Sequence, residues 1–423
     1  MGLWKQNQYK EANNLDIAVM GYGTVGSGVV EVFFENKALL EKRVRQPLAM
    51  KYILDLRDFP GDPHENLLIK DFARIRDDAS VRVVAEAMGG VEPAFTFTKA
   101  CLEQGKSVVT SNKELVAKRG AELLEIAAAH GCNYLFEASV GGGLPVLHPL
   151  HNCLSANHVQ EIAGIFNGTT NFILTQMIEE GHTFDQALAQ AQARGFAERD
   201  PSADVDGHDA CRKICIMADM AFGHQIDPDT VPVEGISGIT MEDVSYANLW
   251  GGVVKLIGRA VQEVPGGPVS VRVAPYFVPA GSQLGACKGV YNAILVRGDA
   301  VEDVVFYGQG AGKRPTASAI LSDILECILL GDTDPSVGWS RELGTIADPD
   351  SQTTAAYYRV KDCTGTQIQK AFGSVEFLAG DGVPSGEIAF VTEPRPEREL
   401  AAARKALEGE GASVLGKLRV LSV

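Results

Sequence analysis

Residues 15–26 read LDIAVMGYGTVG. The apolar strand pattern LDIAVM runs directly into Gly21, Gly23 and Gly26, and a helical pattern extends from Val25 through Leu40. Strand, glycine turn and helix in that order are the context in which GxGxxG carries meaning. Gly21 permits the tight turn, Gly23 lets a pyrophosphate approach the backbone, and Gly26 allows helix and strand to pack closely. The first helical turn, at Thr24 and Val25, then offers unpaired N–H groups to the phosphates of a dinucleotide. A glycine-rich turn with no ligand is the alternative reading.

The pattern continues in the same sense. A second strand, LAMKYILDL (48–56), ends near Asp55 and Arg57, where such folds recognise the cofactor ribose. Asp55 favours the free 2′-hydroxyl of NAD and Arg57 the 2′-phosphate of NADP, so these two residues leave NAD or NADP open. Strand patterns recur at VRVVAEAM (81–88), SVVT (107–110) and NYLFEAS (133–139), separated by the helical runs EPAFTFTKACLEQG and ELVAKRGAELLEIAAAHG. Such alternation means an α/β fold with a Rossmann-type, doubly wound parallel sheet, over residues 1–145. Lys113, in TSNKEL, follows one strand and opens the next helix, where a cation opposes the helix dipole by about 0.3–1 kcal/mol. A residue that breaks a local rule is a candidate for function, with a solvated lysine as the plain alternative. Glu137, in EASVGGGLP, is a lone acid beside three glycines. One carboxylate with several carbonyls suits a hard cation, although such a stretch is more often a domain-crossing loop.

After Pro149 the alternation stops. HVQEIAGIF (158–166) reads as a strand entering NGTTN, and Asn167, Gly168 and Thr169 there can present N–H groups and a hydroxyl to a carboxylate. Capping of the helix FILTQMIEEG is the structural alternative. Next comes ERDPSADVDGHDACRK (198–213), in which Asp209 and Lys213 stand one turn apart on a nearly all-apolar helix. A buried charged pair is costly unless something requires it, whereas an ordinary pair at a helix end contributes roughly 0.2–0.5 kcal/mol. VSVRVAPYFVP and AILVRGDAVEDVVFYG read as further strands, giving residues 146–309 an α+β domain with an open mixed sheet. YGQGAGKRPTASAILSDILECILL is glycine-rich and then helical, and its helix, about 310–333, is expected to return to the first sheet, with Gly310 and Gly312 near the cofactor. Residues 334–352 read as a linker.

Composition narrows the classes of function. The chain has 423 residues, 45% hydrophobic and 22% charged, with a formal net charge of −16. That balance excludes a nucleic-acid binder, which needs clustered Lys and Arg, and points to small-molecule ligands. No stretch reaches the roughly 18 apolar residues of a membrane span, and the polar first fourteen residues lack a signal-peptide core. Eight cysteines without a CxxC pair suit a reducing cytosol. The expected location is the cytoplasm.

Six stretches, GYGTVG, TSNKEL, EASVGGGLP, GIFNGTTNFIL, GFAERDPSADVDGHDACRK and GQGAGKRPTASA, occur in an order that resembles homoserine dehydrogenase over residues 15 to about 330. The resemblance implies NAD(P)-dependent interconversion of L-aspartate 4-semialdehyde and L-homoserine, on the route to threonine, methionine and isoleucine, by a homodimer or higher homo-oligomer. By the same resemblance Lys213 is the proton donor, Asp209 and Glu198 hold the amino acid, and Lys113 lies beside nicotinamide and substrate. Ser111, Gly195, Gly310 and Gly312 become cofactor contacts, and residues 146–309 a substrate-binding and dimerisation domain. Glu137, with the carbonyls of Val140, Gly142 and Leu144, becomes a site for a sodium-type monovalent cation. Residues 353–423 are similar to an ACT domain of βαββαβ order, which implies either a threonine effector or a purely structural or dimerising tail; the usual DxPG reads DCTG here (362–365). One chemical tension follows: Asp209 favours a protonated Lys213, whereas oxidation of homoserine needs it uncharged. Rival readings are a dehydrogenase of another small amino-acid aldehyde and a catalytically dead NAD(P)-binding amino-acid sensor. A phosphorylating semialdehyde dehydrogenase needs a cysteine nucleophile with an activating base, and no cysteine here sits in a comparable motif.

Overall fold

The computed structural model describes residues 15–331, 338–380 and 383–421. The polar opening segment, residues 1–14, and residues 334–337 of the expected linker lie outside them. The chain divides into two compact units, 1–143 with 311–338, and 144–310 with 339–423.

In the first unit β1 (Leu15–Met20), α1 (Thr24–Val44), β2 (Leu48–Leu54), β3 (Leu68–Ile69), α2 (Ala73–Arg76), β4 (Val81–Glu86), α3 (Ala94–Glu103), β5 (Ser107–Thr110), α4 (Lys113–Ala129) and β6 (Tyr134–Leu135) follow one another. The strands pair in the order β3-β2-β1-β4-β5-β6, every pairing parallel, which is the doubly wound dinucleotide-fold order. Ile17 through Met20 are fully buried, the expected state of a central strand covered on both faces.

The second unit carries β7 (Val159–Ile165), α5 (Gly168–Glu180), α6 (Phe184–Ala193), α7 (Ser202–Val205), α8 (His208–Phe222), β8 (His224–Gln225), α9 (Met241–Leu249), β9 (Gly252–Val261), β10 (Ser270–Pro279), β11 (Tyr291–Gly298) and β12 (Glu302–Gln309). The chain then re-enters the first unit as α10 (Lys313–Leu330). Ala317, Ile320 and Ile324 of α10 share a core with Val29, Val30 and Phe33 of α1. At the rim Arg314 reaches Glu31 and Glu35, and a Cβ on Gly28 would come within 2.7 Å of the Lys313 carbonyl.

Back in the second unit, β13 (Ser340–Leu343), β14 (Thr353–Lys361), α11 (Gly365–Phe372), β15 (Val375–Leu378), β16 (Glu387–Thr392), β17 (Arg395–Pro396), α12 (Glu397–Gly409) and β18 (Ser413–Val420) complete the chain. One large sheet runs β12-β11-β7-β9-β10-β18-β14-β16-β15. It is mixed, because β18 pairs parallel with β10 and antiparallel with β14. Apart from the two-residue β17, which pairs with the start of β14, the C-terminal segment has βαββαβ order and shares its sheet with residues 159–309. The stretch read as a linker is tied down where it is described: β13 pairs with β8, and Val269 exchanges backbone hydrogen bonds with Thr345 and Ala347. Strand β9 is an element the sequence reading did not anticipate.

Candidate functional site

The glycine turn of the first unit obeys two different constraints. Gly21 has φ 95°, and a Cβ on Gly26 would lie 1.8 Å from the Gly21 carbonyl oxygen, so both are dictated by the fold. At Gly23 the nearest group to a Cβ would be Arg57 at 3.9 Å. The turn is thus closed on its inner side and open where a phosphate would approach. Thr24, exposed, and Val25 begin α1 there. A cleft of about 590 Å³ opens beside the turn, lined by Gly21, Gly23, Asp55, Arg57, Lys70 and Phe97 among others.

Asp55 just beyond β2 accepts four hydrogen bonds: from the Tyr22 N–H at 2.8 Å and from the Arg57 N–H, Nε and Nη2 at 2.9, 3.0 and 2.8 Å. A carboxylate has about four lone-pair sites, so this one is saturated. The Arg57 guanidinium holds the Asp55 carboxyl well below the usual range. Ser111 and Lys113 follow β5. Lys113 is the first residue of α4, and the Asn112 side chain caps that helix by accepting from the Leu115 N–H at 3.2 Å. Nearby, Glu86 is fully buried at the end of β4 and accepts from Thr110 Oγ1 at 2.6 Å and the Met88 N–H at 2.7 Å. Burial pushes its carboxyl upward.

In the second unit a polar cluster is buried where α5, α7 and α8 meet. Lys213, 7% exposed, and Asp209, 2% exposed, form an ion pair of 2.9 Å. Lys213 Nζ also donates to the Phe166 carbonyl at 2.9 Å, which accepts from Asn292 Nδ2 at 3.0 Å as well. Asn167 caps α5 through its carbonyl oxygen, which accepts from the Thr170 N–H at 2.8 Å. Its amide nitrogen bridges two acids, donating to Asp204 Oδ1 at 2.7 Å and to Asp209 Oδ2 at 2.9 Å. The Asn167 side-chain amide is therefore engaged with protein carboxylates. Thr169 likewise donates its hydroxyl to the Phe196 carbonyl at 2.7 Å, fixing the turn that follows α6.

That turn holds Gly195, with φ 74°, and Glu198, both exposed. Asp204 also joins the cluster. It lies in the acidic stretch already singled out, but nothing in its spacing distinguished it from its neighbours. The Phe166 carbonyl and Asn292 were missed entirely. Gly168 approaches Val290, where a Cβ would lie 2.6 Å from the carbonyl oxygen. Gly310 packs on Asn292, and Gly312 has φ 134°. Glu137 is buried on a 3-10 turn and its N–H donates to Asp323 Oδ2 at 3.0 Å. Val140 and Leu144 are buried, and Gly142 has φ 57°. Among the described residues no three His, Cys, Asp or Glu groups converge as metal ligands, and no helix is long and apolar enough to cross a membrane.

Two family models match: one described as homoserine dehydrogenase over residues 145–325, and one described as the NAD-binding domain of homoserine dehydrogenase over residues 21–137. A homoserine dehydrogenase of Lactococcus lactis is 37% identical over 367 residues, covering 84% of this chain and 85% of its own. One from Neisseria gonorrhoeae is 35% identical over 424 residues, covering 93% and 95%. Among solved structures, a homoserine dehydrogenase from Thiobacillus denitrificans superposes with a TM-score of 0.88 at 32% identity, covering 97% of this chain and 99% of that one. A hyperthermophilic archaeal homoserine dehydrogenase mutant in complex with NADPH gives 0.63 at 26% identity, covering 75% and 98%.

Proposed function

Given that this chain belongs to the homoserine dehydrogenase family, we propose a division of labour among its residues in the NAD(P)-dependent interconversion of L-homoserine and L-aspartate 4-semialdehyde. The observation that carries it is the buried Lys213–Asp209 pair on the Phe166 carbonyl. Lys213 exchanges the proton at the substrate oxygen, as general acid toward the aldehyde and as base toward the alcohol. Asp209, held by Asn167, orients the ammonium and, with Asp204 and Glu198, accepts from the substrate's amino group. The N-terminal N–H groups of α5, at Gly168 and Thr169, receive the substrate carboxylate. Lys113 supplies fixed positive charge beside the developing alkoxide.

The open turn at Gly23 and the adjoining cleft fit a nicotinamide dinucleotide. When bound, that cofactor supplies or accepts the hydride. We assign NADP as the preferred form, because Asp55 has no acceptor site left for a ribose hydroxyl while Arg57 and Lys70 face the cleft. For a sodium-type cation, Glu137 supplies the carboxylate and Val140, Gly142 and Leu144 the carbonyls, and the buried glycine-rich turn suits a hard ion. A cytoplasmic setting is supported by eight unbridged cysteines, and a homo-oligomer by family membership.

The test is NAD(P)H formation from L-homoserine by the wild type and by Lys213→Ala. The variant should lose about a hundredfold or more in turnover while its KM for cofactor stays near that of the wild type. Wild-type turnover in the variant retires Lys213 as the proton carrier, and an inert wild type retires the substrate.

A further inference from the structure

A short strap connects the C-terminal strand to the buried polar cluster of the second unit. Residues 232–234 lie against β10: the Val273 N–H donates to the Pro232 carbonyl at 3.0 Å, and the Glu234 N–H donates to the Val273 carbonyl at 2.8 Å. Strand β9 occupies the other edge of β10 along its whole length. The strap and β18, which pairs at Tyr276 and Phe277, therefore lie end to end on one edge.

Beyond the strap the chain locks onto the turn between α7 and α8. The Ile236 N–H donates to the Val205 carbonyl at 2.8 Å. A Cβ on Gly235 would lie 2.5 Å from that carbonyl oxygen and 2.7 Å from Asp206 Cα. Gly207, φ 87°, faces back, and a Cβ there would meet Val233 at 2.9 Å and Val273 at 3.2 Å. This interlocked turn carries Asp204 on one side and opens into α8, with Asp209 and Lys213, on the other.

The strap is clamped by charge. Arg419 Nη1 on β18 donates to Glu234 Oε1 at 2.8 Å, and Arg272 Nη1 lies 3.6 Å from the same oxygen. Glu397, the first residue of α12, accepts from Arg419 Nε at 2.5 Å and from Lys417 at 2.7 Å. Both arginines are 6% exposed, and the buried Arg272 Nε has no hydrogen-bond partner. Glu234 is thus the carboxylate that two buried cations share.

We propose that Glu234 and Arg419 are positioning residues, whose ion pair fixes the strap and so sets the turn that spaces Asp204 from Asp209 and Lys213. Through them the C-terminal module governs how tightly the amino-acid substrate is held. The kinetic half of this inference rests on the function assigned above; the structural half does not.

Full-length wild type, Glu234→Gln and Gly235→Ala are compared by amide hydrogen exchange and steady-state kinetics. In Glu234→Gln the amides of Ile236 and of residues 204–207 should exchange about tenfold faster, the loss expected for one charge-assisted hydrogen bond, with α10 in the other unit unchanged. Both variants should raise the KM for L-homoserine by about threefold to tenfold, with the cofactor KM within about twofold of the wild type. Wild-type exchange at residues 204–207 and 236 in Glu234→Gln overturns the proposal whatever the activity. Uniformly faster exchange across the unit with an unchanged KM assigns the pair to stability alone and also overturns it. A wild type that does not oxidise L-homoserine refutes the function, while the exchange data still decide the coupling.

Discussion

At Asn167 one side chain performs two tasks that can be separated chemically. Its carbonyl caps α5 and its amide hydrogens hold two carboxylates together. Asn167→Asp keeps a good cap but sets a third acid against Asp204 and Asp209. Turnover of L-homoserine should fall about tenfold or more, with the cofactor KM unaltered; steady-state kinetics at wild-type rates would reduce Asn167 to a cap. At the ribose end, Arg57→Ala frees Asp55 and removes the cation. The KM for NADP should rise about tenfold, and the KM for NAD should fall or hold; a parallel rise in both would contradict the assignment of NADP. Asp209 and Lys213 were legible because a four-residue spacing puts them on one helical face. Their partners were not: a backbone carbonyl at Phe166 and an amide at Asn292 are brought in by the fold, and no local pattern announces them.

Helices and strands were legible in proportion to their periodicity. Helix α8 declared itself by its apolar run, yet it buries Asp219 completely, with Oδ1 accepting from the Ile226 N–H at 2.8 Å and Oδ2 unpartnered. Burial pushes the Asp219 carboxyl well up. The folded protein therefore retains a proton that the unfolded chain releases above about pH 3.9, so stability declines as pH rises from there toward the folded value. Asp219→Asn cannot titrate. Its stability relative to wild type, from urea midpoints, should improve as the pH rises above about pH 3.9; a constant difference would show that Asp219 is not the titrating group. Strand β9 was illegible because Lys255 and Arg259 interrupt its apolar pattern. Lys255 is in fact buried, donating to Asn171 Oδ1 at 2.9 Å and to the Cys287 carbonyl, and burial lowers it to about 8. The two-residue strand β3 is too short to show any period, and β6 was read too long, since of NYLFEAS (133–139) only Tyr134 and Leu135 are strand and Glu137–Ser139 form a 3-10 turn.

For the whole molecule, the parallel sheet was readable from strand and helix alternation, whereas the parallel seam between β10 and β18 joins segments far apart in sequence and leaves no local trace. That seam makes residues 353–421 part of the sheet as well as a candidate threonine sensor. Deleting them uncovers the part of the β10 edge at Tyr276 and Phe277 and takes Arg419 from Glu234, so the shortened protein should aggregate, as read by light scattering. A monodisperse, active truncation would show that the seam is dispensable. Activity that is flat across millimolar threonine would remove the effector role and leave the structural one. The route of the chain through its two units has a further outcome during synthesis. Because α10 covers the apolar face of α1, a nascent polypeptide leaving the ribosome cannot finish its first unit until the intervening 144–310 has been translated. A gene fragment ending at residue 143 should then yield a sticky product needing chaperones, whereas splicing 15–143 directly to 311–331 should give a self-sufficient nucleotide-binding miniature.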